Sequence, residues 1–191
     1  FEKKSPATVS TNYQIASVTK LFTSIALMQL VERKKIFLDT PVVEIIPELR
    51  AIKTNGHSVE DITIKSILTH TTGLPTNPNF LLDKKGQNQE LALDEFLKGL
   101  AQQSLLFPPN RIHKYSNLAM NLGGLIVERV SGLSFEQYIQ EVILTPLQLE
   151  STRFPKDSEN TKVIGYSRII GDLRLKNEFP EMASILGLPS S

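Results

Sequence analysis

The 191-residue sequence contains no cysteine. Disulfides, thiolate nucleophiles and cysteine-based metal sites are thereby excluded, while the cellular compartment stays open. It has no run of 18 apolar residues, so it offers no candidate for a membrane-spanning helix. It has no excess of either charge: 21 basic and 20 acidic residues give a net charge of +1. That balance makes no case for nucleic-acid binding or for an acidic or basic tail. An initiating Met and a secretory leader are both missing, so the sequence reads as part of a longer chain. The three histidines, His57, His70 and His113, are too scattered to form a ligand set, and no metal or cofactor is called for.

What is present describes an ordinary globular chain, with 40% apolar and 21% charged residues and enough length to bury a core. One domain, or one plus part of another, is expected. The spacing predicts helices over about 17–33, 42–46, 64–69, 93–102, 118–130 and 134–144. Asp39-Thr40-Pro41 reads as the start of the second, with proline in its first turn. Thr63 reads as the cap of the third. Gly132 marks the stop of the fifth, and Ser134-Phe135-Glu136-Gln137 is a capping box for the sixth. Gly123-Gly124 costs roughly 1 kcal/mol per glycine against alanine inside a helix, which points to close packing there. Residues 50–61, with a solvated His57, and 76–90 read as polar loops. Strand-like stretches are few and lie near the ends, at 1–4 and 163–166. The pattern fits an α+β fold whose helical region packs on a sheet with strands missing from these 191 residues.

Chemically, the run Ser17-Val18-Thr19-Lys20 stands out. It opens a segment with apolar Val18, Leu21, Phe22, Ile25, Met28, Leu30 and Val31, a helical period. Ser17 is a preferred cap residue, and residues three apart share a helix face, so Ser17 and Lys20 fall one above the other. A serine hydroxyl becomes nucleophilic when a neighbouring base takes its proton. Desolvation and nearby positive charge drive a lysine toward its neutral, proton-accepting form, and a helix N-terminus favours anionic intermediates. Alone, Ser-x-x-Lys equally describes a capped helix with an exposed lysine. Tyr115 alone reads as a half-buried core residue, Asn117 as a helix cap, and His70 as a structural hydrogen-bonding residue; His113 is a candidate for a cleft rim.

Several stretches in order change that weighting: Ile15-Ala16-Ser17-Val18-Thr19-Lys20, Leu68-Thr69-His70-Thr71-Thr72-Gly73-Leu74-Pro75, Tyr115-Ser116-Asn117, and Ser131-Gly132 followed by Thr145-Pro146-Leu147. Over roughly residues 12–155 the chain resembles the serine β-lactamase and penicillin-binding-protein superfamily. The likeness is strongest to its class C branch, which also holds D-Ala-D-Ala carboxypeptidases, D-aminopeptidases and esterases. The resemblance implies a β-lactamase/transpeptidase-like α+β fold, here mainly the helical part with an incomplete antiparallel sheet, and hence a partial domain over 1–191. It implies Ser17 as the acylated nucleophile, Lys20 as its activating partner and Tyr115 as the phenol that relays protons. Asn117 would be a polar contact to the substrate amide or to Lys20. Whether Lys20 or Tyr115 takes the first proton stays open. The implied partners are a small-molecule or peptide substrate and the missing part of the same domain. A periplasmic or extracellular setting would suit the family.

The family's third element, Lys-Thr-Gly or His-x-Gly on an edge strand, does not occur in this sequence. Gly187-Leu188-Pro189-Ser190-Ser191 looks like the segment that precedes it. The resemblance places one oxyanion-hole N–H on that absent strand and the other on Ser17. Loss of one donor costs about 2.7–4 kcal/mol of transition-state stabilisation, so these 191 residues alone are expected to be inactive or nearly so. Two small departures from the family pattern are Pro109-Asn110, where Pro-Gly is usual, and Pro146-Leu147-Gln148, where Pro-Leu-Gly is usual. Two readings follow: a serine hydrolase acting on β-lactams, D-Ala-D-Ala peptides or small esters and amides, or a non-catalytic binding or scaffolding member of the same fold.

Overall fold

The computed structural model describes residues 15–77 and 92–154, with Pro6, Thr8, Thr11, Tyr13, Phe80 and the backbone of two short strands. The expected strand at 1–4, most of the loop at 76–90 and the stretch 187–191 lie outside the described residues. A 3-10 turn at Ala16–Val18 leads into α1 (Thr19–Glu32). Next come α2 (Val42–Ile45), 3-10 turns at Pro47–Ala51 and Val59–Asp61, and α3 (Ile64–Leu68). They are followed by α4 (Leu93–Leu100), α5 (Asn117–Ser131) and α6 (Phe135–Tyr138), which widens into a π-helical turn over Ile139–Leu144. The strands β1 (Gly165–Arg168) and β2 (Arg174–Asn177) pair antiparallel, with Gly165 opposite Asn177.

The turn chemistry explains most of the boundaries. Thr63 and Ser66 form a reciprocal capping box on α3, and Ser134 and Gln137 form another on α6. Gly132 ends α5 with φ +76, and its N–H donates to the Glu128 carbonyl at 2.8 Å. The expected start of α2 is corrected. Pro41 is itself the N-cap and carries no side-chain cap bond. Pro41 is extended instead and bridges antiparallel to Thr63, because Val42 N–H donates to the Ile62 carbonyl and Ile64 N–H to the Thr40 carbonyl. Ser17 is not a cap either: Val18 occupies that position on α1 and makes no side-chain cap bond. Nor does Asn117 cap α5. Ser116 does, its Oγ accepting from Ala119 N–H at 3.0 Å.

The core is centred on α1 against α5. Ala26, Leu27 and Leu30 of α1 meet Leu118, Leu122, Leu125 and Ile126 of α5, with Ile64, Ile67 and Leu74 beneath them. Gly123 lies where the elements approach most closely. A Cβ there would sit 3.2 Å from Thr23 Cγ2, 3.3 Å from Leu27 Cδ1 and 3.4 Å from Ile67 Cγ2. The helix-weakening glycine is therefore explained by packing. On α1 the apolar residues of the sequence pattern fall on two sides: Leu30 is buried, and Phe22 and Val31 pack against the core. Val18, Leu21, Ile25 and Met28 form an exposed apolar stripe, 42–62% accessible, while Thr23, Ala26, Leu27 and Leu30 are buried.

Candidate active site

Ser17 sits in the 3-10 turn that feeds α1, immediately after Ala16, whose φ is +45. A non-glycine residue in the left-handed region stores backbone strain, and such strain persists where the surroundings over-determine it. One turn on, Lys20 is half-buried. Its Nζ donates to Ser17 Oγ at 3.3 Å, as the three-residue spacing dictates. The hydroxyl therefore points away from the helix backbone and toward a second stretch of chain.

That second stretch carries Tyr115, and it is gripped by the turn that follows α3. Asn110 N–H donates to the Thr71 carbonyl, Lys114 N–H to the His70 carbonyl and Asn117 N–H to the Thr76 carbonyl, at 2.8, 2.8 and 3.0 Å. Side chains tighten the grip. Ser116 Oγ donates to the Pro75 carbonyl at 2.7 Å, and Thr76 Oγ1 donates to the Tyr115 carbonyl at 2.7 Å. Gly73 lets the two stretches of chain touch: with φ +77 its backbone lies against Phe107. Asn110, where the family usually has glycine, adopts φ +62, and Gln148 adopts φ +55 at the other departure. Both turns survive the substitution.

These constraints bring Tyr115 Oη to 2.8 Å from Ser17 Oγ across 98 residues of sequence. Lys20 Nζ lies 5.1 Å from the centre of the Tyr115 ring. Ser17, Lys20 and Tyr115 thus converge, and Tyr115, at 38% exposed, is not a core residue. The desolvated cleft expected around them is not formed by these residues alone, for Ser17 is also exposed. Asn117 stands apart. It is buried, its Nδ2 donates to Asn77 Oδ1, and its Oδ1 has no partner, so no hydrogen bond joins it to Lys20. Thr76 and Asn77 were missed in the sequence, being counted with the polar loop. The turn-forming run Pro75-Thr76-Asn77 was the available signal.

His70 makes the structural hydrogen bond expected of it: its Nδ1 accepts from Ser116 N–H at 3.3 Å. Its ring lies against Tyr115, with centroids 4.7 Å apart, and edge-on to the exposed His113 at 6.0 Å. Burial holds the His70 imidazole below its usual titration range, and the nearby His113 and Lys20 push it the same way. Among the described residues no group of acidic and histidine side chains could hold a metal, and no helix is long and apolar enough to cross a membrane.

Comparison with known proteins shows the family of this chain. The sequence model of the family described as Beta-lactamase matches residues 1–168. Protein flp of Staphylococcus aureus (strain MW2) is 32% identical over 167 residues, covering 86% of this chain and 33% of that protein. Esterase EstB of Burkholderia gladioli is 32% identical over 158 residues, covering 78% of this chain and 40% of EstB. A solved class C beta-lactamase superposes with a TM-score of 0.72 at 21% identity, covering 96% of this chain and 47% of that one, a likeness of fold alone. The chain spans about a third of the length of the first of these relatives. By the extent of the family match, this chain belongs to the β-lactamase family, within the superfamily of serine β-lactamases and penicillin-binding proteins.

Proposed function

We propose that the protein carrying this chain is a serine hydrolase that works through an acyl-enzyme at Ser17. One observation carries the reading: a hydroxyl, an amine and a phenol meet within hydrogen-bonding range, with Ser17 Oγ 2.8 Å from Tyr115 Oη and 3.3 Å from Lys20 Nζ. In this reading Ser17 Oγ attacks the substrate carbonyl carbon. Its proton passes to Tyr115 or Lys20 and on to the leaving group as the C–N or C–O bond breaks. Water then attacks the ester at Ser17 by the reverse proton path. The substrates proposed are β-lactams, D-Ala-D-Ala peptides, or small esters and amides. The ester class draws support from EstB, whose name assigns it esterase activity.

The 191 residues alone are proposed to be inactive or nearly so. The exposed stripe Val18, Leu21, Ile25 and Met28 beside Ser17 supports a missing sheet of the same domain that covers α1 and walls the cleft. Asn117 is proposed as a polar contact to the substrate amide on the family likeness; its unpartnered Oδ1 is buried. Incubation of the full-length protein with a fluorophosphonate or a penicillin, followed by mass spectrometry, tests the reading. An adduct on the peptide containing Ser17, absent in Ser17→Ala, is expected. No adduct on the full-length protein overturns it in favour of a non-catalytic binding module.

A further inference from the structure

Tyr115 is fixed through its two neighbours in sequence, and His70 holds both of them. The His70 carbonyl accepts from Lys114 N–H at 2.8 Å, and the His70 ring nitrogen Nδ1 accepts from Ser116 N–H at 3.3 Å. Between those two bonds the imidazole lies against the phenol ring at 4.7 Å, tilted by 38°. His70 does this from φ +54, a left-handed conformation that few side chains adopt without a compensating contact.

An imidazole nitrogen accepts an N–H only while it carries no proton, so the ring hydrogen belongs on Nε2. A second proton would set the Nδ1–H against the Ser116 N–H and remove that bond. Besides the Tyr115 phenol itself, the charged and titratable groups facing the ring are Lys20 from α1 and His113 from the segment leading to Tyr115. Lys20 and His113 both oppose a positive charge on His70.

We propose that His70 is a positioning residue for the Tyr115 phenol: its neutral ring clamps Tyr115 Oη onto Ser17 Oγ and releases it on protonation. The proposal rests on Ser17 and Tyr115 being the reacting pair. Because His70 titrates below its ordinary value of 6.5 when folded, the clamp is fully made above pH 6.5 and is lost as pH falls through the lower folded value.

The test uses the full-length protein and two variants suited to positive φ. His70→Asn keeps an acceptor oxygen near the place of Nδ1 and cannot titrate; His70→Gly keeps the backbone conformation and removes the acceptor. The rate of Ser17 modification by a fluorophosphonate is followed from pH 4.5 to 9, as these limits bracket the usual histidine range of about 6.5. Wild type is expected to lose rate on the acid side with the midpoint of the His70 titration read by NMR. His70→Asn should stay within about threefold of wild type at pH 8 and lose that acid limb. His70→Gly should be on the order of 10–100-fold slower at pH 8. A His70→Asn profile that superimposes on wild type, or a His70→Gly rate equal to it, overturns the proposal. The Ser116 amide and Tyr115 ring resonances report the clamp independently of chemistry. If they follow the His70 titration while Ser17 takes no label, the clamp stands and the hydrolase reading fails. If they do not follow it, the clamp fails whatever Ser17 does.

Discussion

Gly73 and Phe107 approach so closely that a Cβ added to residue 73 would lie 2.2 Å from the Phe107 carbonyl oxygen. Leu106 N–H donates to the Gly73 carbonyl at 2.8 Å in the same contact. This touching point joins the turn after α3 to the segment that presents Tyr115. Gly73→Ala must therefore relieve both a clash and a positive φ. We expect it to destabilise the chain by at least about 2 kcal/mol. In the full-length protein it should also slow labelling of Ser17. Thermal unfolding measures the first effect and the labelling rate the second; a melting temperature equal to wild type would contradict the contact.

Tyr115→Phe deletes one oxygen and leaves the ring where His70 holds it. The chain should melt within about 1 kcal/mol of wild type, since the residue is partly exposed. Acylation of Ser17 in the full-length protein should fall by roughly 10²–10⁴-fold if the phenol moves a proton. Stopped-flow measurement of the nitrophenyl ester burst gives the number. An unchanged burst rate would remove Tyr115 from the chemistry.

Glu128 carries a pH signature separate from the site. Burial raises its carboxyl above the ordinary 4.5, opposed in part by the Phe135 N–H that donates to it at 2.7 Å. Above 4.5 the folded state then binds more protons than the unfolded state, so stability falls as pH rises through the raised value and levels off beyond it. Glu128→Gln keeps an acceptor for Phe135 and removes the charge. The variant should be more stable than wild type at pH 7 and indistinguishable from it near pH 4, as read by urea unfolding at each pH. The opposite order would mean that the hydrogen bond outweighs burial.

The exposed stripe on α1 makes a prediction of opposite sign in two contexts. Leu21→Lys with Ile25→Lys should reduce self-association of the 191-residue chain, measured by sedimentation, because it breaks an apolar patch. In the full-length protein the same pair should prevent folding, because charges would be buried against the proposed sheet. A full-length double variant that folds normally would count against that sheet.

Much of this was legible in the sequence because it is local. Thr63, Ser134 and Gly132 mark helix ends through bonds made within a few residues, and the three-residue step from Ser17 to Lys20 needs only one turn of helix. Where long-range pairing competed, local reading failed. Asp39-Thr40-Pro41 looks like a helix start but is drawn into an extended pairing with residues 62–64. Ser17 looks like a cap, yet its hydroxyl faces a phenol 98 residues away. The family likeness supplied that partner; periodicity alone did not. The grip of Thr76 on the Tyr115 carbonyl had no signal beyond a turn-forming composition. The period of α1 located a helix but not its buried side, since both sides are apolar.

The wide turn at Ile139–Leu144 has a consequence for how this chain tolerates changes in length. On a regular α-helix those two residues would point about 140° apart. Here both line one apolar recess with Thr19 and Phe22. The extra residue per turn acts as slack: removing one amino acid between 139 and 144 tightens the coil into ordinary register, whereas the same deletion inside α5 would rotate Asn117 and Gly123 out of alignment with each other. Indels accepted by the molecule should accordingly cluster in this loosened coil, leaving the helix behind Tyr115 fixed in length.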